Sequence, residues 1–434
     1  MAVPYQHSWL ASSRHRVHGA LAFSMAVSSN YTLRLTNALL REAFARVLND
    51  NGLALKEGKH PSIYRVVRAR SVPRSAQARQ YFSAAAVLAS FDAFGEEFRA
   101  LHAACDRPQS RLDVDLPGGA GSGRVVANFS SYRLVAQALV LHASAHLALS
   151  NAPVALQDAT ALFRLAESLR DQPGVTAINL QDRLRENYFQ VVWEGLAGRR
   201  WNSGQVEILE GQLQSIDVLA ACRLALEAEQ AIGNQWLEQT PRAQLADQFV
   251  ERVTAWRARR RVKPLWVVPL AWNLRWCPRG WIRQAQIGYM ESCLDHLEVL
   301  DVWHQRAFPE GDRPWASVRR PPTARAGPVA DWCHRNGPHY VQVEQSGSRL
   351  QTCVNLARTA CALERYRLAQ GHFPESLDEL RPHFLKRLPR DVMNGGPFHY
   401  GPTDDGQFVL YSVGWDGEDQ RGSATDWVWR YPAR

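Results

Sequence analysis

Between Ser131 and Leu149 the chain is rich in alanine and leucine, and Asn151-Ala152-Pro153 follows directly. Such a segment reads as a helix, a stop and a restart, because proline is tolerated in the first helical turn and not in the interior. Val154 to Leu169 then supplies the second helix of a hairpin. Two long apolar stripes joined by so short a connection can be buried only against other helices, which commits this part of the chain to helix-on-helix packing. The next pair, 177–197 and 203–216, keeps the rhythm. Asn202, with Gln205 three residues on, predicts an N-terminal cap for its second helix.

Alternation of Ala, Leu and aromatic residues through this hairpin, closed by Asp171-Gln172-Pro173, resembles one tetratricopeptide-type unit, but the following pair lacks the signature. The expected fold is therefore mainly α: an irregular helical bundle or short tetratricopeptide-like solenoid over 131–305, with a small α+β module at the C-terminus. At 434 residues the chain is long for one unit, and 46% hydrophobic with 21% charged residues is ordinary globular chemistry. Residues 1–130 read as N-terminal helical segments, one over Leu33–Val47 and one near Ala76–Ala104, ending in a Gly-rich loop with Gly118, Gly119, Gly121 and Gly123. Residues 306–348 hold six prolines and read as a linker. After it the periodicity changes. Gln351–Gln370 predicts a long amphipathic helix ended by Gly371, Ser376 with Glu379 a capping box, and Phe398–Tyr400, Phe408–Ser412 and Trp427–Tyr431 three strands. The expected module spans 349–434, a long helix on a small antiparallel sheet.

Within it, Tyr366-Arg367 at the end of the helix, Gly371-His372-Phe373-Pro374, Leu388-Pro389-Arg390-Asp391, Asn394-Gly395-Gly396-Pro397, Tyr411-Ser412-Val413-Gly414-Trp415-Asp416-Gly417 and Asp426-Trp427 follow one another in order. This series resembles the head of the type II secretion major pseudopilins, over about the last fifth of the chain. The whole chain also resembles a set of uncharacterised bacterial helical proteins in which a Gly-Trp segment, here Gly280-Trp281, precedes the same tail. The pseudopilin resemblance implies a calcium ion in the loop after the Tyr-Ser strand. Asp416, Asp426 and the Val413 carbonyl match the family's ligand positions, with Ser412, Glu418 and Asp419 as further oxygen donors, and calcium takes six to eight oxygens. The loop lacks the family's Gly-Gly-Glu-Gly stretch and carries Arg421, a cation that opposes calcium. Fibre assembly, which in that family needs an N-terminal membrane helix, is not expected of a module placed after a folded region.

The second expected binding segment is 256–283, where Arg259, Arg260, Arg261 and Arg275 stand among Trp266, Trp272 and Trp276. Tryptophan with arginine suits the headgroup level of an anionic membrane, or stacking on single-stranded nucleic acid; a core segment with a solvated basic flank explains the same residues. The net charge of +9 favours anionic partners in general. A core segment with a solvated basic flank is the preferred reading; peripheral contact with an anionic membrane comes next and nucleic acid last, and a protein partner is expected on the helical region.

The remaining motifs are weak. His142 and His146 share a helical face, but Ala143 stands where a zinc protease carries glutamate. Asp331, Cys333, His334 and His339 have no zinc-site spacing. Gly118–Gly123 is followed by Arg124-Val125 in place of the lysine and hydroxyl of a phosphate loop. Seven scattered cysteines without a Cys-x-x-Cys pair argue against a disulfide framework. The N-terminal Arg14–Val27 stretch is a poor secretory signal, and no run reaches the roughly 18 apolar residues of a membrane span. The expectation is a non-enzymatic protein of the bacterial envelope, periplasmic or membrane-peripheral, and cytoplasmic if no signal operates. It would be a helical scaffold with a recognition module. The alternative is a hydrolase-type enzyme with a pocket among the helices, although no catalytic residues stand out.

Overall fold

A computed structural model of the chain describes three short strands within 32–68, then residues 84–105, 122–170, 174–241, 278–308, 340–422 and 426–431, with a few isolated positions between them. The architecture is mainly helical, with a small antiparallel sheet near the C-terminus. In order the elements are β1 (Thr32–Arg34), β2 (Leu53–Glu57), β3 (Ile63–Arg68), α1 (Ala84–Phe91), α2 (Gly95–Cys105), α3 (Ser122–Ala148), α4 (Ala152–Glu167), α5 (Val175–Ala197), α6 (Ser203–Gln214) and α7 (Val218–Gln239). They continue with α8 (Arg279–Leu297), β4 (Leu300–Asp301), β5 (Arg306–Ala307), α9 (Tyr340–Gln370), β6 (His399–Pro402), β7 (Phe408–Ser412) and β8 (Trp427–Arg430).

The α3–α4 hairpin forms as its sequence predicts. Pro153 lies in the first turn of α4, and the buried stripe Ala155, Ala159, Leu162, Ala166 faces α3 and α5. Helix α6 begins on a complete capping box: the Asn202 side chain accepts from Gln205 N at 2.9 Å, and the Gln205 side chain accepts from Asn202 N at 3.0 Å.

Helix α9 is the central pillar. It starts at Tyr340, well before the expected Gln351, and is buried almost all round between Leu350 and Glu364. A helix buried on every face belongs inside a larger body. One side packs on α5, α6 and α7, and the other carries the sheet β6-β7-β8. Its buried hydroxyls bond one turn back, Thr352 to the Ser348 carbonyl at 2.9 Å and Thr359 to the Asn355 carbonyl at 2.9 Å, so they cost nothing in unmet donors. In the sheet, β7 is central and antiparallel to both neighbours, pairing Tyr400 with Leu410 and Leu410 with Trp429. Phe408, Leu410 and Ser412 point inward on alternate positions. One apolar core runs without interruption from the α3–α4 hairpin to Tyr431.

Three expectations need correction. The helix over Leu33–Val47 is not seen at its start, because Thr32–Arg34 is a strand on the sheet β1-β3-β2, so the N-terminal part is not purely helical. Its partner β3 reads Ile-Tyr-Arg-Val-Val-Arg, and β-branched residues favour a strand once a partner is available. The Gly-rich loop ends earlier than expected, since Ser122 and Gly123 already belong to α3. The linker over 306–348 is too long at both ends: Arg306–Ala307 pairs with Leu300–Asp301, and Tyr340 to Ser348 are helical. Residues 309–339, with Asp331, Cys333, His334 and His339, lie outside the described residues.

Candidate functional site

The predicted calcium loop follows β7. The Ser412 hydroxyl donates to Asp391 Oδ1 at 2.8 Å and accepts from Gly414 N at 3.3 Å, so that oxygen is already engaged. Asp391 is fully buried and also accepts from Met393 N and Val413 N, which ties the turn at 391–397 to the end of β7. Asp416 and Asp426 are brought together by Gln420, whose side-chain amide donates to Asp416 Oδ2 at 3.1 Å while its backbone N–H donates to Asp426 Oδ2 at 3.1 Å. Gly422 N adds a 2.8 Å bond to the same Asp426 oxygen, yet Asp426 Oδ1 is buried without a hydrogen-bond partner. Glu418 enters through its backbone N–H, bonded to Asp416. Asp419 accepts from Arg421 N at 2.8 Å and lies 3.7 Å from His399; these contacts hold its carboxyl below the usual range.

Of the 256–283 segment, Trp266, Trp272, Arg259, Arg260, Arg261 and Arg275 lie outside the described residues, while Trp276 is 70% exposed. His142 and His146 stand one turn apart on α3, with their Nε2 atoms 3.2 Å apart.

One recess among the described residues was not anticipated. It is a cleft of about 1320 Å³ where the helical body meets the C-terminal module. Its floor is α9, through Gln351, Asn355 and Arg358; one wall is the β4–β5 hairpin, and the other is the 387–397 stretch. Gln351 accepts from Val218 N at 2.7 Å, capping α7, and Asn355 donates to the Arg390 carbonyl at 2.9 Å, so the two floor residues tie α9 to α7 and to the 387–397 wall. Five arginines line the cleft (Arg306, Arg358, Arg381, Arg387 and Arg390) against three aspartates.

The aspartates are occupied. Asp217 accepts from Ala220 N and from Gln305 Nε2, Asp301 accepts twice from His304, and Asp378 pairs with Arg381 at 2.5 Å. Burial pushes the Asp301 carboxyl up, but the His304 bonds outweigh it and leave it below its ordinary value, ionised at neutral pH. Two of the arginines are not matched in the same way. Arg306 Nε and Arg358 Nε are both buried without a hydrogen-bond partner. Arg306 lies over the Phe308 ring at 4.9 Å and presses on Gly395, whose φ is +71° and where any Cβ would stand 2.9 Å from Arg306 Nε. Burial lowers the Arg358 pKa from its ordinary value, with Glu210 opposing. Trp303, 92% exposed, stands at the rim.

Guanidinium groups pair with carboxylates and phosphates in bidentate fashion, and a water-filled recess that carries more guanidinium than carboxylate charge concentrates anions. The sequence motif Asn394-Gly395-Gly396-Pro397 did mark one wall, but Arg306 and Arg358 carried no local signal. They come from segments 52 residues apart that only the fold brings together. Comparison with known proteins finds no matching family, no matching curated protein and no matching solved structure.

Proposed function

We propose that the protein is a non-enzymatic binding scaffold that holds an anionic ligand, through carboxylate or phosphate groups, in the arginine cleft between its helical body and its C-terminal module. The observation that carries this reading is the pair of buried, unpartnered Nε–H donors on Arg306 and Arg358. A buried donor without a partner costs about 1–3 kcal/mol, so little is lost when either guanidinium turns to meet an oxyanion in the cleft. In this reading the α3–α4 hairpin is the tetratricopeptide-type unit of the scaffold, and the tail is a pseudopilin-like recognition module in an envelope protein. The helix followed by a three-stranded antiparallel sheet supports that kinship. Among the described residues no helix is long and apolar enough to cross a membrane. In this reading contact with an anionic membrane is peripheral, through the Trp/Arg segment.

The test is titration of the full chain with citrate, inorganic phosphate and a hexaglutamate peptide, followed by calorimetry. At least one of the three should bind. Arg306→Met with Arg358→Met should weaken it at least tenfold, while the melting temperature of the apo protein holds or rises, because an unmatched buried cation has been removed. Equal affinity in the double variant would rule the cleft out.

A calcium ion in the 412–426 loop is a second reading, favoured by the buried, unbonded Oδ1 of Asp426. Asp426 and Asp416 would hold the ion with the Val413 carbonyl, and Glu418 and Asp419 would stand near it; calcium would supply structural cross-linking rather than chemistry. Millimolar calcium should then raise the melting temperature of the wild type and leave Asp426→Asn unmoved. An unchanged wild-type melting temperature would remove the ion from the account.

A further inference from the structure

Away from the cleft, α2, α3 and α4 gather three histidines around one carboxylate. Asp158 is completely buried on α4. Its Oδ1 accepts from His102 Nε2 at 2.8 Å and its Oδ2 from His142 Nδ1 at 2.7 Å. The other nitrogen of His142, Nε2, lies 3.2 Å from His146 Nε2, and His146 Nδ1 lies 3.2 Å from the side-chain amide of Asn151. Asn151 precedes α4 yet makes no side-chain cap to it, its amide being turned to the histidine instead. Phe98 stacks on the His142 ring with centroids 4.2 Å apart, and Phe91 meets it edge-on at 5.8 Å, so the ring is held in place.

Counting protons fixes the chemistry. With Asp158 ionised and accepting from both, His102 Nε2 and His142 Nδ1 carry the hydrogens, and in the neutral ring His142 Nε2 is left with a lone pair. That lone pair faces a second Nε2. Two such nitrogens can share either a proton or a metal ion. When the metal enters, His146 changes tautomer by exchange with solvent: the proton leaves Nε2 and Nδ1 carries one instead, donating to the Asn151 carbonyl oxygen once that amide has turned over, and both Nε2 lone pairs are free to converge. With metal–nitrogen bonds of about 2.0–2.1 Å, a separation of 3.2 Å corresponds to an N–metal–N angle of roughly 100°, near the tetrahedral value.

We propose that His142 and His146 chelate a divalent transition metal ion of the zinc class through their Nε2 atoms, with Asp158 as the outer carboxylate that sets the His142 tautomer. A carboxylate behind a metal-bound histidine is the usual means of orienting the ring and raising its basicity. Burial, followed by the neighbouring His142, pulls the His146 pKa below its ordinary value, which favours the neutral ring that a metal needs. Among the described residues no group of three or more His, Cys, Asp and Glu could hold a metal ion, and the proposed site is accordingly a two-histidine one whose further ligands are water. The His142 side chain is 14% exposed, which leaves it reachable from solvent.

The experiment uses the full chain with Co²⁺ as a spectroscopic probe and Zn²⁺ as its competitor. The wild type should bind cobalt with a ligand-field spectrum of histidine ligation, displaced by zinc. His146→Gln should lose that spectrum, and Asp158→Asn should weaken binding by about 10–100-fold without abolishing it. Since Asp158 is buried, its variant counts only if its circular dichroism is native; His146→Gln carries the decision otherwise. No cobalt spectrum in the wild type, or an identical spectrum in His146→Gln, overturns the proposal.

Discussion

Asp182 on α5 is buried, and neither of its oxygens has a hydrogen-bond partner. The nearest cation, Arg185, is 3.6 Å away and itself leaves Nε and Nη1 unpartnered. Burial dominates, and the Asp182 carboxyl is pushed up to about 7, with Arg185 opposing. The linkage follows from the sign of that shift. The folded protein keeps a proton that the unfolded chain releases near pH 4, so this stabilisation is full below the unfolded value and is lost as pH rises through about 7. Thermal melts should therefore show stability falling between about pH 4 and pH 7 and levelling above it, and Asp182→Asn should flatten that slope; an unchanged slope would mean another group is responsible. At this scale the sequence was legible wherever partners are close along the chain, as in Asn202 with Gln205 and Ser376 with Glu379. It was less legible for Asp158, although a carboxylate at the position between Ala155 and Leu162 on an apolar stripe is a signal that could have been read.

At the scale of elements, the crossing of α9 and α7 depends on one glycine. A Cβ at Gly347 would stand 2.4 Å from Cys222 Sγ, and Cys222 is fully buried with its thiol pKa raised by burial. Gly347→Ala should cost about 1–3 kcal/mol of stability by overpacking. Adding Cys222→Ala removes the obstructing sulfur and should recover most of that loss, so a double-mutant cycle by denaturant unfolding should be strongly non-additive. Additive losses would show that the helices do not cross as closely as this. Long helices with clear apolar periods were readable from sequence, and so were the three C-terminal strands within a residue or two. The strand β1 was not, because Leu33 and its neighbours read equally as a helical stripe until the remote β3 pairs with them.

For the whole molecule, the C-terminal module does not stand apart as its sequence suggested. Trp193 on α5 donates to the Arg430 carbonyl at 3.2 Å, Arg365 pairs with Glu210 at 2.8 Å, and Arg349 bonds Glu186, so the module is fastened to the helical body by contacts spread along α9. Residues 349–434 made alone would expose the face of α9 that packs on α5, α6 and α7, and should lack the cooperative unfolding transition of the full chain by circular dichroism. The cleft exists because of this docking, which is why no single stretch of sequence announces it. Its two walls come from the β4–β5 hairpin and the 387–397 stretch, and both contribute arginine. Hydrogen exchange measured by mass spectrometry, with and without saturating amounts of whichever anion binds, tests this most directly. The account predicts simultaneous protection of residues 300–308 and 388–397 in the wild type and none in the Arg306→Met, Arg358→Met protein. Protection confined to one wall, or persisting in that variant, would contradict it.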